Sequence, residues 1–107
     1  MPGRRPRLVG EWARMKYLVL SIDPFGIPLR MKGEPPSTRW PVELTEDLMG
    51  RLLDWNDRFS DVFAAEDRYT AEQRASLTSQ LNAEGRKLAE MIDLATAGNA
   101  KTEFLPE

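Results

Sequence analysis

The chain has 107 residues, of which 41% are hydrophobic and 30% are charged, the composition of one ordinary soluble domain. It contains no cysteine and no histidine, which excludes disulfides, Cys-based metal sites and every Ser–His or Cys–His catalytic pair. No apolar run approaches the ~20 residues of a spanning helix. We therefore expect a cytoplasmic protein that has no membrane contact, no cofactor and no metal, and is not an enzyme.

Residues 1–14 contain four arginines and one glutamate, and Pro2, Gly3 and Pro6 interrupt any regular structure. We interpret them as a disordered basic tail, followed by a single α+β domain over residues 15–107. Two alternatives remain for this stretch. It is an arm for nucleic acid or another anionic surface, or Met15 is the natural start, because the periodic pattern begins immediately after it.

Two short segments alternate between apolar and other residues, with Leu18, Leu20 and Ile22 in the first and Ile27, Leu29 and Met31 in the second. Residues 23–26, Asp-Pro-Phe-Gly, match a type I turn. A four-residue loop built on that turn pairs Leu20 with Leu29. In the same register Leu18 lies opposite Met31, so the apolar residues share one face. Pro28 lacks an amide proton and predicts that the second strand is an edge.

Two amphipathic helices are predicted from apolar residues spaced three and four apart: Leu48, Leu52, Trp55, Phe59 and Val62 in the first, and Leu77, Leu81, Leu88, Ile92 and Ala95 in the second. Thr45 is the expected N-cap of the first helix, which should end near Phe63 or Ala65. Thr70 and Gln73 form a capping-box signature for the second, which should end at Gly98.

These elements predict an α+β fold in which a small antiparallel β-hairpin sheet is covered by a two-helix antiparallel hairpin. Residues 101–105 are a candidate third strand, which beside the first strand would give the order 2-1-3. Gly85 falls on the apolar face of the second helix. We expect it to mark a close approach to Trp55 or Phe59.

Two residues outside these patterns have open roles. Trp40 lies in the proline-rich connector of residues 33–43, where it either covers one end of the core or contacts a partner. Glu84 projects near the apolar seam of the second helix. We expect it to pair with Lys16 or an arginine, and a buried functional acid is the alternative.

The first predicted helix has an acidic face, defined here as Glu46, Asp54, Asp57 and Asp61, which fall within roughly 80° of one another opposite the apolar stripe. Residues 43–67 hold eight acidic residues against two arginines, a local charge of −6, whereas the whole chain is −2. Leu53 lies among these acids without a core role. The face is either a solvated surface or a docking surface for a basic protein. Metal binding by its aspartates is disfavoured, because side chains on one helix diverge.

The segments Leu53-Asp54-Trp55-Asn56, Glu84-Gly85-Arg86 and Leu88-Ala89-Glu90 resemble a pattern in small bacterial proteins of β-β-α-α-β order. The resemblance covers about residues 15–105. Some of those proteins are immunity or accessory proteins of toxin systems, so the resemblance implies a binding protein and names no active site.

We therefore predict a small non-enzymatic interaction protein, of immunity or antitoxin type, that binds a basic protein partner. The expected contact residues are Glu46, Leu53, Asp54, Asp57, Asp61 and Trp40. The alternative is a nucleic-acid-associated accessory protein that uses the arginine tail, although a nucleic-acid partner is disfavoured. A carboxylate-based enzyme is the least favoured alternative, and the sequence gives no indication of the oligomeric state.

Overall fold

The computed structural model of the protein describes residues 15–36, 38–65 and 67–107. Its elements are β1 (Lys16–Leu20), β2 (Leu29–Met31), α1 (Glu46–Ala64), α2 (Ala71–Ala95) and β3 (Ala100–Phe104). This order confirms the predicted α+β fold, with a helical hairpin and a small sheet. The predicted basic tail, residues 1–14, lies outside the described residues.

The three strands form one sheet in the order β2-β1-β3, which confirms the predicted order. β1 and β2 are antiparallel, with Leu18 opposite Met31 and Leu20 opposite Leu29, as the turn length predicts. β3 runs parallel to β1, so the sheet is mixed. Two parallel strands need a long crossover connection between them. Here the chain from β1 to β3 passes through β2 and both helices, and this segment is the crossover.

The turn between β1 and β2 is attached to α1 by a buried side chain, Asn56, which is only 4% exposed. Its Oδ1 accepts a hydrogen bond from the Asp23 amide at 2.8 Å, and its Nδ2 donates to the Asp23 carbonyl at 2.8 Å and to the Gly26 carbonyl at 3.4 Å. Within the turn, the Gly26 amide donates to the Asp23 carbonyl at 3.4 Å. One amide side chain therefore fixes the β-hairpin against the middle of α1.

Both helices begin directly after the N-cap residues that the sequence predicts, Thr45 and Thr70. The Thr45 side chain accepts from the Leu48 amide at 3.1 Å, and Thr70 forms the expected capping box with Gln73. α1 ends at Ala64, within the predicted limits. α2 ends at Ala95, three residues before the predicted stop, because Ala97 and Gly98 both take positive φ angles, 52° and 82°, and turn the chain into β3.

The core lies between the sheet and the helical hairpin, and its centre is Trp55, which is fully buried. The Trp55 Nε1 donates to the Leu81 carbonyl of α2 at 2.8 Å. Its ring packs edge-on against Phe59 and Phe104, with centroid distances of 5.6 and 6.0 Å. The buried hydrophobic residues around it are Leu18, Leu20, Leu29, Leu48, Leu52, Phe59, Val62, Leu81, Leu88, Ala89, Ile92 and Ala100.

Gly85 is the close-approach point of α2, but its neighbour is Phe104 of β3, not the expected Trp55 or Phe59. A Cβ placed on Gly85 would lie 2.4 Å from the Phe104 Cε1. The expectation was wrong because β3 supplies the ring that meets this glycine, and Trp55 packs against that same ring with the two centroids 6.0 Å apart. The glycine therefore lets α2 settle onto the last strand.

Gly85→Leu should lower the free energy of unfolding by about 1–3 kcal/mol, because the new side chain overlaps the Phe104 ring. The loss should be smaller when Gly85→Leu is made in a Phe104→Ala background, where the ring is gone. Urea unfolding of the four proteins in this cycle measures the coupling. Equal losses in both backgrounds would show that Phe104 is not the neighbour.

Asn56→Ala should destabilise the protein by about 1–3 kcal/mol, because it leaves backbone groups of the turn without their partners. Asn56→Asp should cost more, since a carboxylate oxygen would then face the carbonyl oxygens of Asp23 and Gly26. The exposed neighbour Asp57 offers a control, and Asp57→Ala should change stability by less than about 0.5 kcal/mol. Urea unfolding at neutral pH measures all three. An Asn56→Asp variant as stable as the native protein would contradict this role.

Candidate protein-interaction site

The acidic face of α1 points away from the core, because the helix turns its apolar stripe toward the sheet and α2. All four of its carboxylates are exposed, and so is Leu53, with 41% of its surface accessible. The structure therefore brings five of the six predicted contact residues together on the outside of one helix. The sixth, Trp40, precedes that helix.

Ion pairs divide the acidic face into two groups. Asp54 binds Arg58 at 2.9 Å, and Asp61 lies 3.3 Å from Arg68 Nη1 and 3.4 Å from the Tyr69 hydroxyl. Within residues 15–36, 38–65 and 67–107, neither Glu46 nor Asp57 has a cationic partner. These two carboxylates flank Leu53 along the helix.

Arg58 joins the two helices by bonding Asp54 on its own helix and Glu84 on α2. The expected pairing of Glu84 with an arginine is confirmed. The pKa of Arg58 is raised above its ordinary value, first by the hydrogen bond to Glu84 and then by the negative charges of Glu84 and Asp54, while burial acts in the opposite direction. The Arg58 and Glu84 side chains are 47% and 39% exposed, so the pair is screened and contributes at most about 1 kcal/mol.

A groove of about 230 Å³ runs between the helices, and two carboxylates line it, Asp61 and Glu84. Each is bonded to an arginine, Asp61 to Arg68 and Glu84 to Arg58. In the part of the chain that the structure describes, no group of three or more acidic side chains could hold a metal ion. The groove thus offers ion-paired carboxylates and no unpaired acid–base couple.

Trp40 is half-buried and packs against the core, in agreement with the interpretation that it covers one end of the core. It also lines a shallow surface groove with Lys16, Pro41 and Met49. Within this lining, the Lys16 ammonium donates to the Pro41 carbonyl at 2.9 Å. Met49 precedes Leu53 by one helical turn, so Trp40 lies at the start of the flank that carries Leu53.

The sheet has a second face, which we call the open sheet face and define as Tyr17, Arg30, Lys32, Lys101 and Glu103. Both helices pack on the other side, where Leu18 and Leu20 are fully buried. Alternate residues of a strand point to opposite faces, so these five side chains point away from the helices. Tyr17 is 56% exposed. The sequence did not indicate this face because β3 is separated from β1 and β2 by both helices, and only its pairing with β1 brings Lys101 and Glu103 beside the hairpin.

No protein-family model matches this sequence, and no curated protein and no solved structure matches it either. Among the described residues, no helix is long and apolar enough to cross a membrane. Two exposed surfaces of the described fold are candidate binding sites, the acidic face of α1 and the open sheet face.

Proposed function

We propose that this chain is a small cytoplasmic interaction protein, of immunity or antitoxin type, that binds a basic partner protein through the acidic face of α1 and performs no catalysis. The observation that carries the proposal is the arrangement of Glu46 and Asp57 on either side of exposed Leu53. Both carboxylates are without an ion pair among the described residues, and Leu53 has no core role.

The four carboxylates of the acidic face differ in how much each can contribute to binding a basic partner. Asp54 and Asp61 are already neutralised in part by Arg58 and Arg68, so a partner gains less from contacting them. Glu46 and Asp57 have no ion pair with any other described residue, and they are available to lysines or arginines of a partner. Leu53 supplies apolar area between them, and interfaces commonly place apolar contacts within a polar rim.

The charge of the whole segment favours fast encounter with a basic protein. Residues 43–67 carry a net charge of −6, concentrated on and around one helix. Such a field attracts opposite charge over about one Debye length, ~10 Å at 0.1 M salt, and accelerates association. The half-exposed Trp40 lies on the Leu53 flank and adds an aromatic contact at the edge of the proposed surface.

The proposal is tested by recovering a partner on the immobilised protein and then measuring association rates in solution. The double variant Glu46→Lys/Asp57→Lys should slow association by about tenfold or more at low salt, because it reverses two charges of the proposed contact surface. The difference should shrink as salt is raised. Asp54 and Asp61 are left unchanged, because reversing them would also break their pairs with Arg58 and Arg68.

The matched control is Glu72→Lys/Glu90→Lys on α2. It makes the same change in charge at two exposed positions, one of them again in the first turn of a helix. It should leave the association rate within about twofold of the native value if position matters as well as net charge. Equal slowing by both double variants would reduce the effect to overall charge. A native rate for Glu46→Lys/Asp57→Lys would show that the acidic face is only a solvated surface.

A further inference from the structure

We infer that the open sheet face binds single-stranded nucleic acid, with a base stacked on Tyr17 and the adjoining phosphates on Lys32 and Lys101. This inference is independent of the proposed protein partner, which would occupy the acidic face on the helical side of the molecule. It rests on the placement of an exposed aromatic ring between two cations by the pairing of three strands.

The pairing puts these three side chains in one row across the sheet. Tyr17 of β1 has Lys101 of β3 as its partner in the parallel register. On the other side, the Lys32 amide donates to the Tyr17 carbonyl at 2.8 Å, directly after β2. Neighbouring strands lie about 4.8 Å apart, so the backbone positions of Lys32 and Lys101 flank that of Tyr17 on either side.

The next row along the sheet adds a third cation. Val19 lies between Arg30 of β2 and Glu103 of β3, and Arg30 Nη1 donates to the Ser21 hydroxyl at 2.8 Å, which orients the guanidinium. Lys32 also pairs with Glu103 at 3.1 Å, but their side chains are 62% and 52% exposed. A pair in that position is weak and screened, so a phosphate can replace the carboxylate. The face carries three cations and one anion.

Single-stranded nucleic acid has the chemistry that this combination recognises. Its bases are free to stack on an exposed aromatic side chain, and its phosphates follow at a regular spacing that suits a row of lysines. A duplex keeps its bases in its own stack and gains nothing from Tyr17. An acidic peptide would contact the lysines but has no base to stack on the ring. Its affinity would therefore not depend on the Tyr17 ring, whereas the affinity of a single-stranded nucleic acid would.

The charge of the rest of the molecule directs such a ligand to this face. The acidic face lies on the opposite side of the two-layer fold, beyond the core, and would repel phosphates. The sheet and the helix surface therefore attract opposite charges, and the two proposed ligands do not compete for one surface.

The experiment uses the full chain and fluorescence anisotropy with a labelled oligothymidine of about 12 nucleotides, and with oligouridine of the same length, at low salt. Tyr17→Ala should weaken binding by about tenfold or more, whereas Tyr17→Phe, which keeps a stacking ring, should stay within about twofold. Lys101→Glu should weaken binding similarly. Binding by the native chain should fall with salt with a slope near −2, as expected when about three cations contact a single strand.

The control is Lys87→Glu, the same charge change at an exposed position on α2, which should leave the affinity nearly unchanged. A full chain with Arg4→Ala, Arg5→Ala and Arg7→Ala separates the sheet from the arginine-rich segment and should keep most of the dependence on Tyr17. The inference is overturned if Tyr17→Ala binds as tightly as the native chain, or if Lys87→Glu and Lys101→Glu weaken binding equally. It is also overturned if a polyglutamate peptide displaces the oligonucleotide as readily as unlabelled oligothymidine does.

Discussion

The buried indole of Trp55 determines how the layers of this protein fit together. An indole N–H taken out of water needs an acceptor, because an unpaired buried donor costs roughly 1–3 kcal/mol. The Leu81 carbonyl supplies that acceptor from α2, and the Phe104 ring of β3 packs edge-on against the same indole. One side chain of α1 thus contacts the other helix by a directional bond and the sheet by aromatic packing. A rotation of α1 about its axis would break both.

Because these contacts hold α1 in one orientation about its axis, each side of the helix contacts a different part of the fold. Asn56 follows Trp55 by one residue, about 100° further round the helix, and reaches the backbone of the β1–β2 turn. Arg58 lies on the other flank and meets Glu84 of α2. The remaining arc, which carries Glu46, Asp57 and Leu53, has no element of the described fold to pack on. The exposure of the acidic face is therefore a consequence of the core.

Local patterns were enough to predict most of the fold. The hairpin register follows from a four-residue turn and alternating Leu residues, and the helix starts follow from Thr45 and Thr70, whose hydroxyls need only the next turn of chain. The acidic face was predictable for the same reason, since it depends on helical spacing alone. Its division into paired and unpaired carboxylates was only partly predictable, because the Asp61–Arg68 pair crosses the end of α1.

What the sequence could not predict depends on contacts between distant segments. Residues 101–105 are predictable as a strand, but the position of Phe104 under Gly85 depends on where β3 joins β1. Asn56 gave no signal, because its partners are backbone groups 30 and 33 residues away. The open sheet face has this origin only in part. The position of Lys32 beside Tyr17 follows from the predicted pairing of Leu18 with Met31, whereas Lys101 and Glu103 join the face through the pairing of β3 with β1.

The most direct test of this arrangement is hydrogen exchange at the Trp55 indole Nε1–H, followed by nuclear magnetic resonance. If the N–H is bonded to Leu81 in the centre of the core, it should exchange only when the whole protein unfolds. Its free energy of exchange should then equal the free energy of unfolding measured with urea, while the indole of half-buried Trp40 exchanges faster. Exchange of the Trp55 indole at a rate as high as that of Trp40, in a protein that is otherwise folded, would contradict the central position given to this residue.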